Sequence, residues 1–293
     1  MQVPIMRSII QLNRFLLAGR GIQKMRVFCI IAFSGVLLGP RFPLAWASSN
    51  ASLFDRPLHE THTPLPRDPY NPGLKPMLSC FYYPNFMVKQ VDLGEKGAEQ
   101  ISVLPYWLKD NKEPPCLRTN ATDEMLIDPR AWSGYFEGVK GDFVFLVSAD
   151  GSDGGPSFAV FNAVDAWKIF VDAEKVFKNS TEFTSLMVLN HPKNDNESVL
   201  ELHYRRVYRA PCSLRADEKN CWSLIRQITG LTEVSPPNCA TAYEAEEKKS
   251  PGDAKSLRTD PSVITYEVEV VLDSSNVIRV TPVSKAMECY PAH

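Results

Sequence analysis

Six cysteines lie downstream of residue 47: Cys80, Cys116, Cys212, Cys221, Cys239 and Cys289. No C-x-x-C occurs among them, whereas zinc sites want closely spaced thiolate or imidazole pairs. The six read instead as up to three disulfides in a protein made for an oxidising compartment, and each bridge ties two distant points of the chain together. Six cysteines admit fifteen pairings, and sequence alone does not choose among them. Short loops and shared segments favour Cys80–Cys116, Cys212–Cys221 and Cys239–Cys289.

The N-terminus supports the same compartment. Residues 1–47 carry six basic residues and no acidic one. An apolar run follows Arg26, and Ala45-Trp46-Ala47 forms an A-x-A cleavage site. Basic flank, short apolar core and small-residue site read as a secretory signal peptide over 1–47, with an uncleaved N-terminal anchor as the rival reading. The apolar core is short for a bilayer span. The segment before Met25 is long for such a signal, so Met25 is an alternative start. Cys29 lies within the apolar core and leaves with it.

Cleavage after Ala47 leaves residues 48–293. Of 32 basic residues in the chain, 26 then remain against 34 acidic ones, a net charge near −8. This is a poor partner for nucleic acid or anionic membrane, both of which demand positive charge. Four N-x-S/T sequons occur, at Asn50, Asn120, Asn179 and Asn196, and mark surface if the source glycosylates. The compact signal leans the reading toward a secreted or bacterial periplasmic protein.

Between Ser48 and Pro76 there are six prolines. Proline fixes φ and removes a donor, so 48–76 reads as an extended strap or linker, with the globular part starting near Met77. His59 and His62 fall in it with no other ligand type nearby. From residue 77 onward, short apolar or alternating runs are separated by Gly, Pro, Asn and Asp. The segments 81–93 (broken by Pro84-Asn85), 98–106, 142–149, 157–163, 167–173, 183–190, 199–208, 264–272 and a short 277–281 read as strands. Asp142–Ala149 is apolar on both faces, as a central strand would be. In 264–272, Ile264, Tyr266, Val268, Val270 and Leu272 point one way, and Thr265, Glu267 and Glu269 face solvent.

One short helix is expected near 218–229. Asp217-Glu218 opens it, Trp222, Leu224, Ile225 and Ile228 form its apolar stripe, Arg226 sits in its last turn and Gly230 stops it. The segment 232–261 reads as a long, exposed, mobile loop because of its charges and the Pro251-Gly252-Asp253 turn. The expected fold class is therefore all-β, mainly antiparallel meander, as a sandwich or open barrel over 77–293. The meander at 141–173 resembles one blade of a β-propeller, so a small propeller-like fold is the alternative. No second copy recurs at a blade-length period.

No G-x-S-x-G, H-E-x-x-H, P-loop or dinucleotide fingerprint occurs, so catalytic residues are not identified and no cofactor or metal is expected. Asp150 and Asp153 lack calcium-loop spacing and read as a turn. His203, with Glu201 and Arg205 at alternate positions, is a row able to do acid–base work, or a solvated strand face. The aromatics carry the binding reading. Phe81, Tyr82, Tyr83 and Phe86 cluster around Pro84-Asn85, and Tyr106 and Trp107 end the next strand. Exposed aromatics stack on sugars or anchor partners, whereas buried ones simply build a β core. The binding set is Tyr82, Tyr83, Phe86 and Trp107. The functional expectation is a non-catalytic binding module for a protein partner or glycan. The alternatives are a hydrolase with fold-assembled Asp and Glu, and a disulfide-rich inhibitor presenting the 232–261 loop.

Overall fold

The computed structural model describes residues 53–106, 113–149, 157–173, 183–191 and 194–292. The signal segment 1–47, Trp107, and Asp150 and Asp153 lie outside the described residues. Among the described residues thirteen strands, all antiparallel, form three sheets. In each sheet the strands follow one another in chain order, so each is a contiguous meander. The fold is all-β and the sheets do not close into a barrel. A propeller needs about four or more blades around a channel; three sheets are present among the described residues.

The first sheet contains β1 (His59–Pro64), β2 (Met77–Tyr82), β3 (Phe86–Asp92), β4 (Gln100–Pro105) and β5 (Met125–Leu126). What reads in sequence as one interrupted strand is the β2–β3 hairpin: Tyr82 pairs with Met87, and the Tyr83 N–H donates to the Phe86 carbonyl across Pro84-Asn85 at 2.9 Å. The proline-rich strap is more ordered than expected. Its His59–Pro64 stretch is an edge strand on β2, where proline's missing donor faces outward. Upstream of it, Phe54 packs edge-on to Phe145 with ring centroids 5.2 Å apart, and Asp55 holds Lys140 and the Gly141 N–H. The globular body therefore begins well before Met77.

The middle sheet contains β6 (Gly134–Lys140), β7 (Phe143–Ser148), β8 (Phe158–Asn162) and β9 (Lys168–Asp172). Its residues divide strictly by face. Phe143, Phe145, Phe158, Val160 and Phe170 join the core shared with the last sheet. Val144, Leu146, Ala159, Phe161 and Val139 join the core shared with the first. A strand covered on both faces has no polar face to show, which explains the F-V-F-L-V run of β7.

The last sheet contains β10 (Phe183–His191), β11 (Asn194–Arg209), β12 (Ser262–Leu272) and β13 (Val277–Pro291). Ile264, Tyr266, Val268, Val270 and Leu272 are all buried on its inner face. Thr265 departs from expectation: it lies on the outer face yet is buried, because the Arg205 guanidinium covers it and donates to its hydroxyl at 3.1 Å. A polar tie joins the middle and last sheets, where the Tyr204 hydroxyl and the Arg206 guanidinium both donate to Asp172 of β9. β13 runs far beyond the short terminal strand expected, with register shifts along its pairing to β12.

Helix α1 (Glu218–Thr229) has the expected ends: Asp217 accepts the Asn220 N–H, and Gly230 closes it in the left-handed conformation at φ 75°. Its buried stripe is Cys221, Trp222 and Ile225, while Leu224 and Ile228 are exposed. The reading of 232–261 as a mobile loop is corrected. This stretch contains α2 (Ala240–Lys249) and the short α3 (Ala254–Leu257). Tyr243 pins α2, fully buried, with its hydroxyl bonded to the Asp260 carbonyl and to Ser262. Among the described residues no helix is long and apolar enough to cross a membrane.

The three disulfides join Cys80 to Cys116, Cys212 to Cys221 and Cys239 to Cys289, the pairing that loop length favours. The second ties α1 to the turn that follows β11, and the third ties the start of α2 to β13.

Candidate ligand pocket

The sequence points to the aromatics, and the structure places them inside. Tyr83 and Phe86 face the middle sheet, stacked on each other at 5.4 Å, and are buried there. Tyr82 is buried on the opposite face of the first sheet. None of the three offers a ring to solvent, so a sugar-stacking face made from them is corrected to core; Trp107 is outside the described residues. Among the described residues the exposed large aromatics are Tyr70 and Trp167, neither of which belongs to the expected binding set.

The outer face of the first sheet is not bare. Residues 113–126, held by the Cys80–Cys116 bridge, fold back over it. Between this roof and the sheet lies a cavity of about 390 Å³. Met87 and Leu104 form its floor, Pro114, Pro115 and Leu117 its apolar roof, and Lys89, Thr119, Asn120 and Glu124 its polar end.

The polar end is built from strand register. Cys80, Lys89 and Ser102 stand in one cross-strand row. The Lys89 ammonium meets the Glu124 carboxylate at 2.6 Å, with side chains 2% and 1% exposed. Lys89 also reaches the carbonyls of Leu117 (3.2 Å) and Thr119 (3.3 Å) and the Asn120 side-chain oxygen (3.4 Å). Glu124 is equally engaged: it accepts from the Ser102 hydroxyl, the Ala121 N–H at 2.9 Å and Gln100 at 3.3 Å. A buried pair this fully bonded is a clamp for the roof. It leaves neither group free for acid–base work.

Two tyrosines are buried in the core cluster of this face, Tyr82 and Tyr106. The Tyr82 hydroxyl donates to the Pro114 carbonyl at 3.1 Å. His59 stacks on the Tyr82 ring at 4.1 Å and meets Glu113 at 3.7 Å. Burial, reinforced by Glu113, pushes the Tyr82 phenol above its ordinary value, and burial, Glu113 and Tyr82 do the same at Tyr106. Both stay protonated donors at neutral pH. The Tyr106 hydroxyl is buried with no hydrogen-bond partner among the described residues.

A hydrolase of the expected kind needs two carboxylates without structural partners in one pocket. The two lining this one are Glu124, saturated as above, and Glu113, which faces His59. On the far sheet, the row of Glu201, His203 and Arg205 is joined across the strands by Glu269. His62 bonds Ser79 at 2.9 Å. Sequence reading missed Lys89, Ser102 and Glu124. The available signal was the pairing of Cys80 with Lys89 across the hairpin, because a bridge from Cys80 to Cys116 brings its segment down over that lysine.

Comparisons with family models, with curated proteins and with solved structures find no match for this chain.

Proposed function

We propose that this is an exported protein, secreted or periplasmic once its signal is removed, and that it acts as a non-catalytic binding module for a protein partner. The observation that carries the binding reading is the cavity under the 113–126 roof, of about 390 Å³, apolar along its length and polar at one end. Ligand sites have this character, with mostly apolar walls and a few fixed polar groups that set orientation. Two prolines, two leucines and a methionine suit an apolar side chain of an extended peptide. The Lys89–Glu124 clamp holds the roof before any ligand arrives, which lowers the ordering cost of binding. Export is supported by the three disulfides and by the basic, apolar and A-x-A pattern of residues 1–47.

The test is to fill the cavity. Ala121 lines it and is half-buried, and its N–H to Glu124 survives any side-chain change. Ala121→Phe is expected to leave unfolding within about 1 kcal/mol of the parent, since the new ring enters empty space. Selection of a displayed random-peptide library on the parent is expected to enrich apolar peptides that Ala121→Phe does not retain. Equal retention by both proteins, or enrichment of none, removes the peptide-pocket reading; glycan-array binding by the parent would move the function to the carbohydrate class.

A further inference from the structure

We propose that the outer face of the last sheet carries a Zn²⁺ site made by Glu201, His203 and Glu269. The site lies on the opposite side of the sheet stack from the cavity and is independent of it. Glu201 and His203 are two residues apart on β11 and so share a face, and Glu269 of β12 is the direct cross-strand partner of His203. The three donor atoms all lie within 4.8 Å of one another, and each residue is partly buried. His203 Nε2 and Glu201 Oε1 are already 3.0 Å apart. Around tetrahedral Zn²⁺, bonds of about 2.1 Å place donors roughly 3.4 Å apart, so small side-chain rotations close the set. An imidazole and carboxylates are both donor types that Zn²⁺ takes, and three protein ligands leave a fourth position for water. Rigid strands hold all three, which limits the ordering needed on binding.

The occupant of the site today is organic. Arg279 of β13 is ion-paired to Glu269. Arg205, next along the row, is engaged by Glu288 at 3.3 Å and by Thr265. Arg279 is therefore the cation that Zn²⁺ must displace, and its side chain is more than half exposed and free to swing away. The imidazole selects against hard cations: Mg²⁺ takes oxygen ligands and keeps its waters.

The experiment is calorimetric titration of the oxidised, EDTA-stripped protein with ZnCl₂ and, separately, MgCl₂. One Zn²⁺ per chain and no saturable Mg²⁺ are expected. His203→Ala should weaken Zn²⁺ at least about tenfold, the lower end of what even an outer-shell contact costs. Arg279→Ala removes the competitor from an exposed position and should tighten Zn²⁺. Absence of saturable Zn²⁺ binding in the parent overturns the site. So does a result in which His203→Ala and Arg279→Ala both match the parent, which would send the ion to other histidines.

Discussion

Lys89→Met is expected to destabilise the protein by about 3–5 kcal/mol, a drop of roughly 10 °C in Tm for a domain of this size. The methionine fits the volume, so packing is not the main loss. The substitution strands the Glu124 carboxylate, 1% exposed, with hydrogen bonds but no counter-charge. It also removes the donor to the Leu117 and Thr119 carbonyls, which the disulfide, Glu124 and the Tyr82 bond to Pro114 do not replace. Adding Glu124→Gln should recover a large part of the loss, because a neutral amide still serves Ser102 and no charge remains buried. Urea unfolding of the two variants at pH 7 checks both statements. A single variant within about 1 kcal/mol of the parent would mean the pair is solvated, since exposed pairs contribute no more than that.

The second large effect comes from removing Cys239–Cys289. On the loop-entropy model, a bridge across 50 residues stabilises by about 4 kcal/mol, against about 2.6 kcal/mol for Cys212–Cys221 across 9. The double change Cys239→Ser/Cys289→Ser should therefore cost more than Cys212→Ser/Cys221→Ser. Geometry adds to the ranking. α2 is charged along most of its surface and has one buried apolar anchor, Tyr243, so the bridge at its start does much of the docking. Chemical denaturation of both variants tests the order. A smaller loss for the 239–289 change would show that Tyr243 and its bonds to Asp260 and Ser262 hold α2 alone.

How legible each part was depends on whether its side chains faced two different environments. β12 alternates because one face meets the core and the other meets water, and β7 is uniformly apolar because both faces are covered. α1 announced itself through Asp217 and Gly230, whose roles at helix ends are local. α2 did not, because a helix with one buried side chain shows no 3.6-residue stripe, and its Glu and Lys residues read as loop. β1 escaped because an edge strand made of His, Thr and Pro buries almost nothing. The aromatic cluster was found, and its direction was not: alternation says that Tyr82 and Tyr83 face opposite ways, but only the roof over Tyr82 and the sheet over Tyr83 decide that both ways lead inward. The pocket and the Glu201–His203–Glu269 set depend on which strands pair and in what register, information carried by distant segments together.

The cysteine pairing has a consequence for biogenesis. Reading from the N-terminus, the first pairs with the second, the third with the fourth and the fifth with the sixth. Each sheet is likewise one unbroken stretch of chain. Reduced, unfolded protein lacking residues 1–47 should accordingly regain all three bridges in a glutathione buffer with no isomerase present, and a requirement for one would show that early mispairing dominates. Cys29, the one thiol able to upset the order, sits in the segment expected to be cut away. Exported as proposed, with the N-terminus leading, the chain would meet its oxidant with each correct partner the next to arrive, and a simple thiol oxidase, with no proofreading step, would suffice to finish it.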